Sequence, residues 1–278
     1  MSWSDYSFEN LLNEARRRTN CYRASWRGII LIGPPGSGKG SQAPKLKDEY
    51  CVCHISTGDA LRAAVAQGTE LGKKAKSIMD KGELVPDELV NGIVGEAIDS
   101  PKCAKGFILD GYPRTVPQAQ AVGYCVKKNK KNKKHYKSMI KKKSSIFKKL
   151  EKMLKEKKKL VSDVVELNVP DSILEERITG RRIHKASGRT YHVKFSPPKQ
   201  SNKDDVNLFI YLFVTGEPLI QRADDTAEVL KPRLNEYHKH AEPVLAFYKQ
   251  NGLVRTVNAD DKFDVVWGRI KTQITSHK

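Results

Sequence analysis

The stretch GIILIGPPGSGKGSQ, residues 28–42, changes character twice within a few residues. Residues 28–32 form a short apolar run rich in isoleucine, the composition of a strand buried on both faces. Gly33, Gly36 and Gly38, with Pro34 and Pro35 among them, then end any regular element. After Lys39 the apolar residues Leu46 and Tyr50 return at helical spacing. Strand, glycine-rich loop ending in GK, and helix together make an anion cradle. The glycines let backbone N–H groups turn toward a phosphate, the helix N-terminus adds partial positive charge, and Lys39 reaches the outer oxygens. Gly36, Ser37, Gly38, Lys39, Gly40 and Ser41 are therefore the candidate phosphate-holding residues. One departure stands out: Gly40 follows the lysine and the hydroxyl comes a place later, at Ser41, so a direct Ser/Thr ligand to Mg²⁺ is missing from its usual position.

Two further apolar runs, residues 107–109 and 164–167, read as buried strands, with helical patterns between them. Strands separated by helices are repeated βαβ units. The expected fold class is α/β, a P-loop NTPase-like parallel sheet flanked by helices.

The chain has 278 residues and a formal charge of +19, which by itself would suggest a nucleic acid or an anionic membrane as partner. The charge is concentrated. Residues 127–159 hold 17 lysines against Glu151 and Glu156, a net +15, which leaves 34 basic and 30 acidic residues, or +4, for the rest. Residues 127–143 have scarcely any periodic apolar residues and read as solvated. From about Ser145 the spacing of Ile146, Phe147, Leu150 and Leu154 predicts an amphipathic helix with lysines on its wet face. With Tyr136 and Phe147 as its aromatics, the block makes a poor stacking platform for nucleic acid, so a nucleic-acid or anionic-surface tether is a secondary reading.

No run approaches the ~18 apolar residues of a membrane span. The N-terminus lacks the features of a secretory, transit or myristoylation signal, so a cytoplasmic site is expected, with the mitochondrial intermembrane space as the alternative. Phe8, Leu11, Leu12 and Ala15 share a helical face and predict a short helix docked against the body. Five cysteines without a CxxC pair indicate neither a disulfide framework nor a zinc knuckle, which fits a reducing compartment.

The loop variant GKG, followed by Ser41 and Gln42, resembles the nucleoside monophosphate kinases, and further motifs follow in order. STGD (56–59) with Leu61 and Arg62, GELV (82–85), LDGYPR (109–114) with Gln118, RITGRR (177–182), SGRTY (187–191), QRADD (221–225) and Arg233 are all similar to adenylate kinase signatures. The resemblance is to the long-lid type and spans residues 28–271 apart from two insertions. It implies reversible phosphoryl transfer from Mg-ATP to AMP, giving two ADP, by an enzyme expected to be a monomer. A GTP-dependent AMP kinase is the alternative.

Phosphoryl transfer asks a protein for charge placement rather than covalent chemistry, and arginine forks meet phosphate oxygens in pairs. The resemblance converges Lys39, Arg62, Arg114, Arg177, Arg181, Arg222 and Arg233 on the phosphates, with Lys39, Arg114, Arg181, Arg222 and Arg233 as the catalytic set. The donor side would comprise residues 36–41 with Arg177, Arg181, Thr190, Tyr191 and a loop near Asp261. The acceptor side would comprise Thr57, Arg62, Glu83, Leu84, Val85, Gly111, Tyr112, Pro113, Arg114, Gln118, Arg222 and Arg233, with Thr57 and Gln118 reading adenine. Asp110, at a strand end, would hold Mg²⁺ through water. Taken singly, each arginine reads as a solvated surface charge and Asp110 as a turn cap; position within a motif carries the functional reading.

The implied organisation is an N-terminal extension (1–27), a core (28–55, 86–179 and 226–278), an AMP-binding subdomain (56–85), a Lys-rich insertion (121–144) and a lid (180–225). The lid has no cysteine, so no structural zinc is expected; His184, Ser187, Asp204 or Asp205, and Thr215 look like a hydrogen-bonded replacement. As a lone residue His184 reads as a surface histidine. Residues 207–214, apolar and aromatic, read as an extra loop at the lid tip or as translated noncoding sequence.

Overall fold

A computed structural model describes residues 8–81, 83–123, 161–184, 189–199, 201–205 and 217–275. Residues 124–144 of the Lys-rich insertion, the expected helix from Ser145, and residues 187, 207–214 and 215 lie outside the described residues.

Five strands build one sheet: β1 (Arg27–Ile32), β2 (Cys53–Ser56), β3 (Gly106–Asp110), β4 (Asp163–Asn168) and, last in the chain, β7 (Val254–Asn258). Their order is β2-β3-β1-β4-β7 and every pairing is parallel. Alternation along β1 sends Ile30 and Ile32 to one face and Ile29 and Leu31 to the other. On the first face they meet α5 (Asp87–Asp99), α6 (Val116–Gly123) and α8 (Ala227–Lys249), through Val94, Ala119, Val122 and Tyr248. On the second they meet α2 (Lys39–Tyr50), α7 (Leu174–Thr179) and α9 (Phe263–Thr275), through Leu46, Ile178 and Ile270. The expected α/β class, a parallel sheet covered on both faces, is what the chain adopts. Because β1 is central and its neighbours leave in opposite directions, a crevice opens at the carboxyl ends of β1 and β3.

Two short helices, α3 (Thr57–Ala66) and α4 (Glu70–Asp80), project between β2 and α5. Each starts on a cap: Ser56 accepts from the Asp59 N–H, and Thr69 from the Gly72 N–H. After α7 the chain forms an antiparallel pair, β5 (Arg181–Ile183) and β6 (Thr190–His192), extended by bridges from Ile183 to Ile220 and from Lys203 to Pro218.

Several expectations change. The helix α1 (Phe8–Arg23) forms, but Leu12 and Ala15 are exposed, so these two members of the expected apolar face do not dock. The helix is instead fastened at its end by a disulfide from Cys21 to Cys51, and a second disulfide joins Cys53 to Cys103. Spacing could not show these pairs: Cys53 starts β2 and Cys103 closes the turn just before β3, 50 residues apart in sequence. The argument for a reducing compartment drawn from cysteine spacing therefore falls. Of the expected Lys-rich insertion, residues 121–123 lie in α6, where Ala121 and Val122 are buried. In the lid, His184 is a core residue rather than a surface histidine, with its Nε2 2.8 Å from Glu217 and its Nδ1 3.4 Å from Asp204. Asp204 also accepts from Arg189 and Tyr191, whose hydroxyl takes the Asp205 N–H. Burial opposes ionisation of Asp204, yet these donors outweigh it and hold its carboxyl below the usual range. The lid thus buries a polar cluster beside the apolar side chains of Ile183 and Leu219. Among the described residues no group of three or more His, Cys, Asp and Glu side chains is placed so that it could hold a metal ion.

Candidate active site

The crevice is a cleft of about 640 Å³ lined by the phosphate loop, the ends of β2 and β3, the lid strand β6, α8 and the loop before α9. Its floor follows from local sequence. Gly38 takes φ 90°, a left-handed conformation that lets the loop turn directly into α2. The first turn of α2 carries no acid and Gly38 makes no side-chain cap, so nothing in the helix's own first turn offsets its partial positive charge.

Lys39 is folded into this loop, donating to the carbonyls of Gly33 (2.7 Å) and Pro34 (2.9 Å) and to Ser37 Oγ at 3.3 Å. Burial lowers its pKa to about 8; Asp110 pulls it up, while Arg114, Arg233 and Arg181 press it further down.

Asp110 ends β3 beside the loop, with His54 Nε2 3.6 Å from its Oδ2. Burial works against its ionisation, but His54 and the Lys39 ammonium more than offset it, and the carboxyl lies below its ordinary range. A side chain at residue 40 would point at Asp110 Oδ2, so Gly40 keeps the space between loop and carboxylate open. An anionic oxygen donor facing a phosphate cradle suits a hard cation such as Mg²⁺.

The arginines converge from several elements: Arg62 from α3, Arg114 from the loop after β3, Arg177 and Arg181 from α7 and the start of β5, Arg222 from the lid base, and Arg233 from α8. Five of these six already touch a carboxylate. Asp59 Oδ1 accepts from Arg62 at 2.6 Å and from Arg222 at 2.7 Å; Asp224 faces Arg233 at 2.9 Å and Arg62 at 3.7 Å. Arg181 grips the fully buried Asp225 through Nε and Nη2, and Arg177 stands 3.6 Å from Asp260. Arg114 instead donates Nε to the Gly111 carbonyl at 2.8 Å. Burial and the crowd of like charges lower both Arg114 and Arg222 to about 10.

A smaller recess of about 60 Å³ opens off the arginines, lined by Thr57, Glu83, Leu84, Val85, Gly111, Gln118 and neighbours. Thr57 donates its hydroxyl to the Gly111 carbonyl at 3.0 Å, and Gly111, at φ 75°, brings Thr57 and Arg114 so close that a Cβ would lie 3.1 Å from each. Gln118 is clamped: its Oε1 accepts from the Arg114 N–H at 2.7 Å and its Nε2 donates to Asp87 at 2.7 Å. Tyr112 turns its ring into the core, hydroxyl on Asn91, and Pro113 follows it along the cleft wall.

On the opposite side Thr190, Tyr191 and the loop from Ala259 to Phe263 face each other across the cleft. Asp261 spends its carboxylate on Arg269 at 2.9 Å and on the Lys262 N–H, so only its place in the loop lines the cleft. Sequence reasoning missed His54, Asp87, the acidic partners of the arginines, and Phe195, whose ring lies under the Arg177 guanidinium at 5.8 Å.

Comparisons with known proteins agree with this geometry. A family model described as adenylate kinase matches residues 31–146, and one for the adenylate kinase active-site lid matches residues 181–224. Adenylate kinase 4 of Oryza sativa subsp. japonica is 52% identical over 251 residues, covering 90% of this chain and 88% of its own. Adenylate kinase 4 of Arabidopsis thaliana is 45% identical over 271 residues, covering 98% and 96%, and an adenylate kinase of Laccaria bicolor is 45% identical over 250 residues, covering 90% and 84%.

Proposed function

Since the chain belongs to the adenylate kinase family, an enzyme family of nucleotide phosphoryl transfer, we propose that it moves the terminal phosphoryl group of ATP reversibly to AMP, giving two ADP. The observation that carries this reading is the convergence of Lys39 and six arginines on one cleft, with a small recess lined by Thr57, Leu84 and Gln118 opening off it.

In this reading residues 36–41 hold the donor phosphates, Lys39 reaching their outer oxygens as it exchanges a loop carbonyl for phosphate. Arg177 and Phe195 supply a cationic and an aromatic face for the donor base, beside Thr190, Tyr191 and the loop at Asp261. Arg62, Arg222 and Arg233 take the acceptor phosphate, while Arg114, Arg181 and Arg222 follow the migrating group, whose charge spreads over its equatorial oxygens. Mg²⁺ bound with ATP would neutralise phosphate charge, with Asp110 holding it through water. No general base is assigned, because the acceptor phosphate is already anionic. Thr57 and Gln118 read the acceptor base with Glu83, Leu84 and Val85 lining it; Gln118 can do so rigidly because Asp87 and the Arg114 N–H fix its amide. We assign residues 56–85 as the acceptor arm and 180–225 as the lid that closes over the donor and expels water.

The deciding experiment gives the purified full chain ATP or GTP against AMP, UMP or CMP and quantifies products chromatographically. ADP from ATP and AMP should dominate. Faster consumption of GTP would establish the alternative donor, and turnover with UMP or CMP rivalling AMP would overturn the acceptor assignment.

A further inference from the structure

The arginines of the acceptor side are linked by two carboxylates into an alternating chain: Arg222, Asp59, Arg62, Asp224, Arg233. It crosses three regions of the molecule, because Asp59 and Arg62 belong to α3, Arg222 and Asp224 to the lid base, and Arg233 to α8. Asp59 Oδ1 accepts from Nη2 of both Arg62 and Arg222, donors that would otherwise be open to a phosphate oxygen.

We propose that Asp59 is a positioning residue that stands in for the acceptor phosphate, holding Arg62 and Arg222 in register and yielding them when the phosphate arrives. The inference rests on the AMP reading of this side of the cleft.

Asp59 is suited to yield. Its side chain is 49% exposed against 21% for Asp224, so it can turn into water. Its backbone is fixed, since its N–H bonds Ser56 Oγ in the first turn of α3, where a carboxylate is also favoured by the helix. Only the side chain has to move. Asp225, fully buried under Arg181, cannot act in this way. A carboxylate carries one negative charge and a phosphate monoester up to two, so the exchange favours substrate while the guanidiniums never stand together uncompensated. The same exchange breaks the shorter of the two links between α3 and the lid base, Asp59 to Arg222 at 2.7 Å, and leaves Arg62 to Asp224 at 3.7 Å, so acceptor binding loosens the tie between the two regions.

The test compares wild type, Asp59→Asn and Asp59→Glu by titration calorimetry of the full chain in EDTA, with AMP, sulfate and ATP each titrated alone. Removing a competitor held by two partly exposed ion pairs should tighten AMP and sulfate about fivefold in Asp59→Asn, leave ATP affinity unchanged, and revert in Asp59→Glu. Unchanged or weaker sulfate and AMP binding in a folded Asp59→Asn protein would overturn the proposal, because it would make Asp59 an organiser and not a competitor. If wild type binds no AMP, the acceptor assignment fails on its own, and the sulfate arm still decides the role of Asp59.

Discussion

Raising the pH from 7 to 9 should disable the two halves of the cleft unequally. The Lys39 ammonium sits at about 8 rather than its ordinary 10.5, a difference that corresponds to about 3 kcal/mol of preference for the neutral amine. A cationic group loses its charge as pH rises through its pKa, so about nine in ten molecules carry the Lys39 charge at pH 7 and about one in ten at pH 9. Arg114 and Arg222, at about 10, remain mostly charged over the same interval. If Lys39 binds the donor, kcat/KM for ATP falls roughly tenfold from pH 7 to pH 9, while kcat/KM for AMP changes by less than about twofold. Initial rates of ADP formation at limiting ATP, and separately at limiting AMP, measure the two arms. A Lys39→Arg variant, slower throughout, should show no break near pH 8. A flat ATP arm up to pH 9, or parallel losses in both arms, would refute the assignment of Lys39 to the donor phosphates.

Four other outcomes follow from the same geometry. Asp225→Ala leaves the Arg181 fork without its buried partner and should lower unfolding free energy by about 3 kcal/mol in denaturant titration. Asp110→Asn keeps shape but removes the charge facing the phosphate loop, so kcat should drop about a hundredfold with little change in KM for AMP. Cys103→Ser opens a loop of 50 residues, for which chain entropy gives about 4 kcal/mol, and should lower Tm by about 10 °C in calorimetry under non-reducing conditions. His184→Ala removes the buried ring that bridges Asp204 and Glu217 in the lid; faster limited proteolysis within residues 189–205, with an unshifted main unfolding transition, is the expected result.

The strands that were legible in sequence, at residues 28–32, 107–109 and 164–167, are the three central ones, β1, β3 and β4. The two that were not, β2 and β7, are the edges of the sheet. An edge strand pairs on one side and is covered less completely, so it can be short and polar: β2 reads CHIS with Ile55 as its buried residue, and β7 reads VRTVN with Val257. Periodicity therefore reports the core of the sheet and fades where burial does. The cleft followed a similar rule. The loop at 33–40 was readable because glycine and lysine at fixed spacing have one common physical use, whereas the arginines were readable only as members of motifs. Their partners Asp59, Asp224 and Asp225 lay inside the same motifs, STGD and QRADD, and were passed over because nothing in a linear sequence says which acid meets which base.

That pairing also explains why charge composition pointed away from the site. Outside residues 127–159 the chain is nearly neutral at +4, although it assembles a lysine and six arginines around one cleft. Neutrality is what the geometry requires. Burial presses the pKa of Arg222 downward, and the like charges of Arg62 and Arg181 add to the effect. Without acids among them, some of the binding energy of a phosphate would go into restoring lost charge. With acids too deeply fixed, the phosphate would meet a site already satisfied. The two requirements fall to different acids, since Asp225 is buried and holds Arg181 in place, whereas Asp59 is half exposed and can leave. A site for a polyanion can thus be nearly invisible in net charge, and the exposure of each acidic partner indicates which cations are structural and which are available to substrate.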